Sequence, residues 1–95
     1  MRTKIIINNN RGEVHAFEGD VQVGQINFNK EEGVLSIEHT EVIEAFKLKG
    51  VAGILVQAVT DYAVHHDLKI KPVCKYAQKW FKQHRLYKKI LVALK

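Results

Sequence analysis

The strongest constraint on this chain is a change of hydrophobic period near residue 50. Upstream, β-branched and aromatic residues gather in short segments at 4–8, 13–18, 21–29 and 34–42, a composition that suits pleated strands. Turn-forming residues separate them: Asn8-Asn9-Asn10-Arg11-Gly12, Gly19-Asp20 and Asn29-Lys30-Glu31-Glu32-Gly33. Loops this short join antiparallel neighbours, because a parallel pair needs a long crossover. A meander of three or four strands is expected, with 4–8 and 12–18 readable either as two strands or as one bulged strand. Within 21–29 apolar residues occupy both alternating sets, Val21 and Val23 in one, Ile26 and Phe28 in the other. That predicts a sheet partly covered on both faces.

Downstream, Val51, Leu55, Ala58, Val59 and Tyr62 recur at spacings of three and four, one face of a helix over 51–66. A short apolar segment at 69–73 holds the only proline, Pro72. Tyr76, Trp80 and Phe81 then mark a second helix with Lys75, Lys79 and Lys82 on another face, and Leu86, Tyr87, Ile90, Leu91 and Leu94 predict a helical stripe to the C-terminus. The strand at 34–42, the helix and the segment 69–73 form a βαβ unit, whose connection is expected to be right-handed. The fold class expected is α+β, an α/β sandwich: an antiparallel meander, then a βαβ unit and C-terminal helices. Ninety-five residues support one modest core, hence one domain over 1–95.

Fifteen Lys and Arg stand against ten acids, and from residue 69 onward the lysines and Arg85 are accompanied by no acid at all. Such asymmetry suits an anionic partner: nucleic acid, a phosphorylated cofactor or a membrane surface. It equally suits a solvated helix face. Nucleic acid is disfavoured, because Trp80 and Phe81 lie at core-like spacing and no stacking motif is evident. The apolar runs are too short or too interrupted to span a bilayer, and no export signal opens the chain. A single cysteine fits a reducing compartment, so the expected location is cytoplasmic, with no membrane partner. Oligomeric state is not legible.

The loop Lys47-Leu48-Lys49-Gly50-Val51-Ala52-Gly53 leads into the main helix. Small residues at 50, 52 and 53 allow close backbone approach, and the first amides of a helix lack internal partners and favour a phosphate. Lys47 and Lys49 add charge there. The plainer reading is that the glycines serve a tight turn and close helix–sheet packing.

Three separated motifs, His39-Thr40-Glu41-Val42, the 47–53 loop and Pro72-Val73-Cys74-Lys75-Tyr76-Ala77, give the chain a familiar order. It resembles the short YjdJ-type branch of the GNAT superfamily of acetyl-CoA-dependent N-acyltransferases, over roughly residues 11–92. The resemblance implies acetyl-CoA (coenzyme A) as cofactor and an amine acceptor of unknown identity. It implies that the segment Lys47, Lys49, Gly50, Val51, Ala52 and Gly53 binds the cofactor pyrophosphate through its amides. Lys47 stands where Arg or Gln is usual in the superfamily, and Leu48 where this branch often has Gly. The strand end at Glu41 and Val42 is implied to meet the pantetheine arm, beside a splay between two strands. The short branch also lacks the helices that usually shape the acceptor site.

Two residues are catalytic candidates. Cys74 precedes a helix carrying Lys75 and Lys79, a setting that stabilises a thiolate able to accept an acetyl group, and the resemblance points to the same position. Against this, most free cysteines are small buried hydrophobes, and direct attack by an amine on acetyl-CoA needs no cysteine. His39, beside the loop, is a candidate general base, with Glu38 and Glu41 as substitutes; its alternative is to shape the bend by hydrogen bonding. Simple alternation sets Glu38 and Thr40 on one face, His39 and Glu41 on the other. Tyr76 and Tyr87 are possible proton donors, although Tyr76 shares core spacing with Trp80. The histidine spacings argue against a metal site: His65 and His66 are adjacent and point apart on a helix.

Overall fold

In a computed structural model, which describes residues 1–92, the change of period becomes a change from sheet to helix. The elements run β1 (Arg2–Asn8), β2 (Arg11–Glu18), β3 (Val21–Glu31), β4 (Val34–Val42), a 3-10 turn (Glu44–Phe46), α1 (Val51–His65), β5 (Lys69–Pro72), α2 (Lys75–Gln83) and a second 3-10 segment (Arg85–Ile90). The sheet order is β1-β2-β3-β4-β5. β1 to β4 form an antiparallel meander, so 2–8 and 11–18 are two strands. β5 joins β4 in parallel through α1, giving the expected βαβ unit.

The sheet is packed on one face, contrary to the expectation of cover on both. The cause is a bulge: Ala16 pairs with Gly24 but Phe17 with Gln22, leaving Val23 as an extra residue in β3. The bulge shifts the alternation, so Val23, Ile26 and Phe28 all reach the core with Val14, Ala16, Leu35 and Ile37. The opposite face carries half-buried Glu13, His15, Gln25 and Asn27. They bond to one another: His15 Nε2 lies 2.7 Å from Glu13 Oε1, and Asn27 Nδ2 donates to Glu13 Oε2 at 3.3 Å.

α1 buries Val51, Leu55, Val56, Val59 and Ala63 against that core, each branched side chain contributing about 1.5–3 kcal/mol of apolar transfer. The buried Thr60 hydroxyl donates to the Val56 carbonyl at 2.8 Å, so it is not stranded in the core. Trp80 and Phe81 of α2 close the core beside it.

The C-terminal stripe differs from expectation. After His84 (φ −123, ψ 69) the chain tightens into the 3-10 segment, whose period of three half-buries Tyr87 and Ile90 and leaves Leu86 in solvent. Leu91 is extended and bridges Ile70 in parallel, so the helix does not continue. Leu94 lies outside the described residues.

Candidate active site

Two features of the chain converge at one end of the sheet. The first is a fork between β4 and β5. Their pairing runs from Val34↔Lys69 to Ile37↔Pro72 and stops there. The Ile37 carbonyl accepts from both Val73 N–H and Cys74 N–H, each at 3.0 Å, which closes the ladder as the chain turns toward α2. Pro72, without an N–H, is suited to the last position of such a strand. β4 continues through residues 38–42 paired only with β3, leaving one backbone edge for a ligand.

A second bulge sits at the fork. Asn27 pairs with His39 and Phe28 with Ile37, so Glu38 is extra. Alternation restarts beyond it: Leu35 and Ile37 are buried, Glu38 and His39 both exposed, and Thr40 and Val42 half-buried. Glu38 and Thr40 therefore do not share a face as simple alternation required. β4 runs to Val42 as expected, so His39 sits within the strand, three residues before its end.

The bulge decides which candidates meet. Thr40 Oγ1 lies 3.6 Å from Cys74 Sγ, with both residues half-buried. His39 stands on the open face instead, its Nε2 3.6 Å from Glu41 Oε2. The structure thus brings Thr40, not His39, to the cysteine.

The second feature is the start of α1. Gly50 caps it in a left-handed conformation (φ 78, ψ 11), with no capping side chain and no acid in the first turn. Its carbonyl accepts from Ile54 N–H at 3.2 Å, so the amides of Val51, Ala52 and Gly53 precede the first rung of the helix and carry its positive end. The Val51 side chain is buried, leaving only its amide for a ligand. Gly24 makes this seating possible: a Cβ there would lie 2.9 Å from Val51 Cγ1 and 3.2 Å from the Glu41 carbonyl. The cations are arranged less directly. Lys47 Nζ pairs with Glu44 Oε2 at 3.1 Å, Lys49 Nζ lies 5.8 Å from the Phe46 ring centre, and Leu48 is wholly exposed.

Tyr76 joins the two features. Its ring is partly exposed rather than core, and its hydroxyl would be 3.5 Å from a Cβ on Gly53. Desolvation by burial raises its pKa above the usual 10.0, which keeps the proton on the phenol. A groove of about 520 Å³ extends from Gly50 and Gly53 past Ile54 to Trp80 and His84. A smaller hollow of about 300 Å³ lies at the β3–β4 end, between Gly24 and Glu41 to Ile43. The unblocked amides at the start of α1 and the unpaired backbone edge of β4 fit a diphosphate with an extended arm. Among the described residues no group of three or more His, Cys, Asp or Glu could hold a metal ion. Nor is any of their helices long and apolar enough to cross a membrane.

The profile of the GCN5-related N-acetyl-transferase family matches residues 12–90. The chain belongs to this family. Among curated relatives, protein NATD1 of Xenopus tropicalis is 40% identical over 52 residues, 55% of this chain and 48% of that protein. Human NATD1 is 38% identical over 53 residues, 56% of this chain and 47% of that protein. The chain thus matches about half the length of these relatives. A GCN5-like protein from Staphylococcus aureus shares the fold with TM-score 0.67 and 23% identity, over 97% of this chain and 90% of that one. The aminoglycoside N-acetyltransferase AAC(6')-Iy, solved in complex with CoA, gives TM-score 0.64 at 17% identity, over 80% of this chain and 67% of that one. At these identities the likeness shows the GNAT fold, with its α+β sandwich as expected.

Sequence reasoning missed Thr40 as the neighbour of Cys74, since nothing local signals a bulge at Glu38. It also missed Gly24, whose role depends on α1 lying over it. The only local signal was a glycine inside a strand, which marks a bulge or a close approach.

Proposed function

We propose that this chain binds acetyl-CoA and transfers its acetyl group to an amine, as a minimal one-domain acyltransferase of the short YjdJ-type branch acting in the cytoplasm. The observation that carries this reading is the juxtaposition of the β4–β5 fork with the uncapped, acid-free start of α1. The amides of Val51, Ala52 and Gly53 hold the diphosphate, with Lys47 and Lys49 adding charge around Gly50. The backbone of Glu41 and Val42 lines the arm leading toward Cys74. The cofactor supplies an activated acetyl thioester.

The chain's own groups supply the rest. Cys74 Sγ, aligned by the Thr40 hydroxyl, gives up its thiol proton and takes the acetyl carbon as the CoA–acyl bond breaks. Tyr76 protonates the departing sulfur and is restored by the proton that Cys74 released, so one thiol is consumed and one is formed. An amine then attacks the S-acetyl group, and Cys74 recovers a free thiol as the amide forms. The competing route is direct attack by the amine, with His39 and Glu41 on the open face accepting its proton. The open sheet face, with no helix over it, leaves room for acceptors of several shapes.

Thermal unfolding with and without CoA tests the binding. A ligand at 100 times its Kd adds about 2.7 kcal/mol of stability, so a clear rise in Tm is expected. Gly50→Glu, which sets a carboxylate at the diphosphate, should remove it. No shift at millimolar CoA with the wild-type chain would sink the reading. Intact mass after incubation with acetyl-CoA separates the routes: an adduct of one acetyl group, absent in Cys74→Ala, identifies the cysteine path. Transfer to an amine without an adduct identifies direct attack, and binding with neither identifies a CoA-binding protein that does not turn over.

A further inference from the structure

The basic C-terminal stretch, which the acetyl-transfer chemistry leaves unused, builds a groove of its own. A hollow of about 800 Å³ lies along α2 and the 3-10 segment that follows it. Pro72, Phe81, Leu91 and Val92 form its apolar lining, and Lys82, Arg85 and Lys88 border it. It shares no lining residue with the groove from Gly50 to His84. α2 stands between the two, with Trp80 in one and Phe81 and Lys82 in the other.

The apolar part is recessed and the cations are not. Pro72 and Phe81 are buried and Leu91 and Val92 half-buried, whereas Lys82, Arg85 and Lys88 are all exposed. Among the described residues none of these three cations is paired with an acidic side chain, and no acid follows Asp67 in the sequence. Arg85 and Lys88 belong to the 3-10 segment, where residues three apart stand one above the other, about 6 Å apart along the axis. Lys82 carries the spacing of three back into the last turn of α2.

We propose that this groove docks an acidic peptide segment of another protein, one that carries apolar side chains among its acids. Three adjacent cations with no local counter-charge complement an anion, and the recessed lining complements side chains that can enter it. In an extended peptide, residues two apart are about 6–7 Å apart, so acids at alternate positions match the spacing of Arg85 and Lys88. The side chains between them are then free to fill the apolar part, the mode in which acidic motifs meet basic clusters. A bilayer surface is too flat to reach Pro72 and Phe81. A single-stranded nucleic acid needs ring faces for its bases, and Phe81, 4% accessible and edge-on to Trp80 at 5.0 Å, offers none. The proposal does not depend on the chain binding CoA.

Isothermal titration of the full chain tests it, with a capped hexapeptide of alternating glutamate and leucine as the probe. Saturable binding that weakens as salt is added is expected. Arg85→Glu and Lys88→Glu, both at exposed positions, should each weaken it by about tenfold or more with unchanged circular dichroism spectra. A peptide with glutamine for glutamate, and one with serine for leucine, should both bind more weakly than the probe. No binding by the wild-type chain at millimolar peptide overturns the proposal. So does equal affinity in both charge-reversal variants, or for the serine peptide, which would reduce the groove to a patch of charge. Tighter binding of an oligothymidylate or of phosphatidylglycerol vesicles than of the probe also overturns it, as does displacement of the probe by CoA. Should Arg85→Glu unfold, Lys88→Glu and the peptide series decide.

Discussion

Thr40 and Cys74, distant in sequence, face each other across the fork with Thr40 Oγ1 3.6 Å from Cys74 Sγ. The bulge at Glu38 creates this contact by turning His39 outward and Thr40 inward. Thr40→Val keeps the shape and removes the hydroxyl, a bond of about 0.5–1.5 kcal/mol. S-acetylation of the protein by acetyl-CoA should slow by up to about tenfold, followed by intact mass over time. Equal rates in the two proteins would remove Thr40 from the chemistry.

Gly50 separates the demands of fold and ligand. Its φ of 78 is the left-handed region, yet a Cβ there meets nothing within 4 Å. Gly50→Ala should therefore cost only the backbone penalty, about 1–2 kcal/mol, read from denaturant unfolding. It should retain most of the CoA-induced rise in Tm that Gly50→Glu loses. A parallel loss in both variants would mean that the loop conformation, rather than charge at the helix start, governs binding.

Gly24 is predicted to be the least tolerant glycine beneath the site. A Cβ there would press to 2.9 Å from Val51 Cγ1 and 3.1 Å from Leu55 Cδ1. Gly24→Ala overpacks the first turn of α1 and should destabilise by about 1–3 kcal/mol. Because it lifts the helix start, it should also weaken CoA binding in isothermal titration. A neutral substitution would show that α1 is not held down at this point.

Tyr76 should leave an alkaline signature. Burial raises its folded pKa above 10.0, whereas in the unfolded chain it ionises normally. Above pH 10 the unfolded state sheds a proton that the folded state keeps, so this residue's linkage lowers stability as pH rises. Ultraviolet titration of phenolate should show a component ionising above pH 10 that Tyr76→Phe deletes. Its persistence in the variant would assign it to another tyrosine.

Much of the architecture was legible because it rests on local rules. The expected turn at Gly19-Asp20 separates two strands where the structure does. The other two shrink to Asn9-Asn10 and Glu32-Gly33, because β2 begins at Arg11 and β3 runs on to Glu31. The stripe from Val51 to Tyr62 predicted a helix beginning at Val51. The tight turn that the loop glycines allowed is made with Gly50 left-handed. The bulges at Val23 and Glu38 were not legible, since a bulge is a mismatch between two strands and neither strand carries it alone. The same limit applied to the C-terminus, where spacings of three and four allow an α-helix or a 3-10 turn. Packing against Ile70 chose the turn and an extended exit at Leu91.

By itself the sequence determined the order of strands and helices from β3 to α2, the basic C-terminal stretch and the small-residue approach to α1. These follow from side-chain volume, branching and charge, which act over a few residues. Tertiary structure alone decided that the β4–β5 pairing ends at Pro72, that Gly24 passes beneath Val51 and that Thr40 rather than His39 meets Cys74. Each of those outcomes depends on register between segments far apart in the chain, and register is fixed by the whole core packing at once.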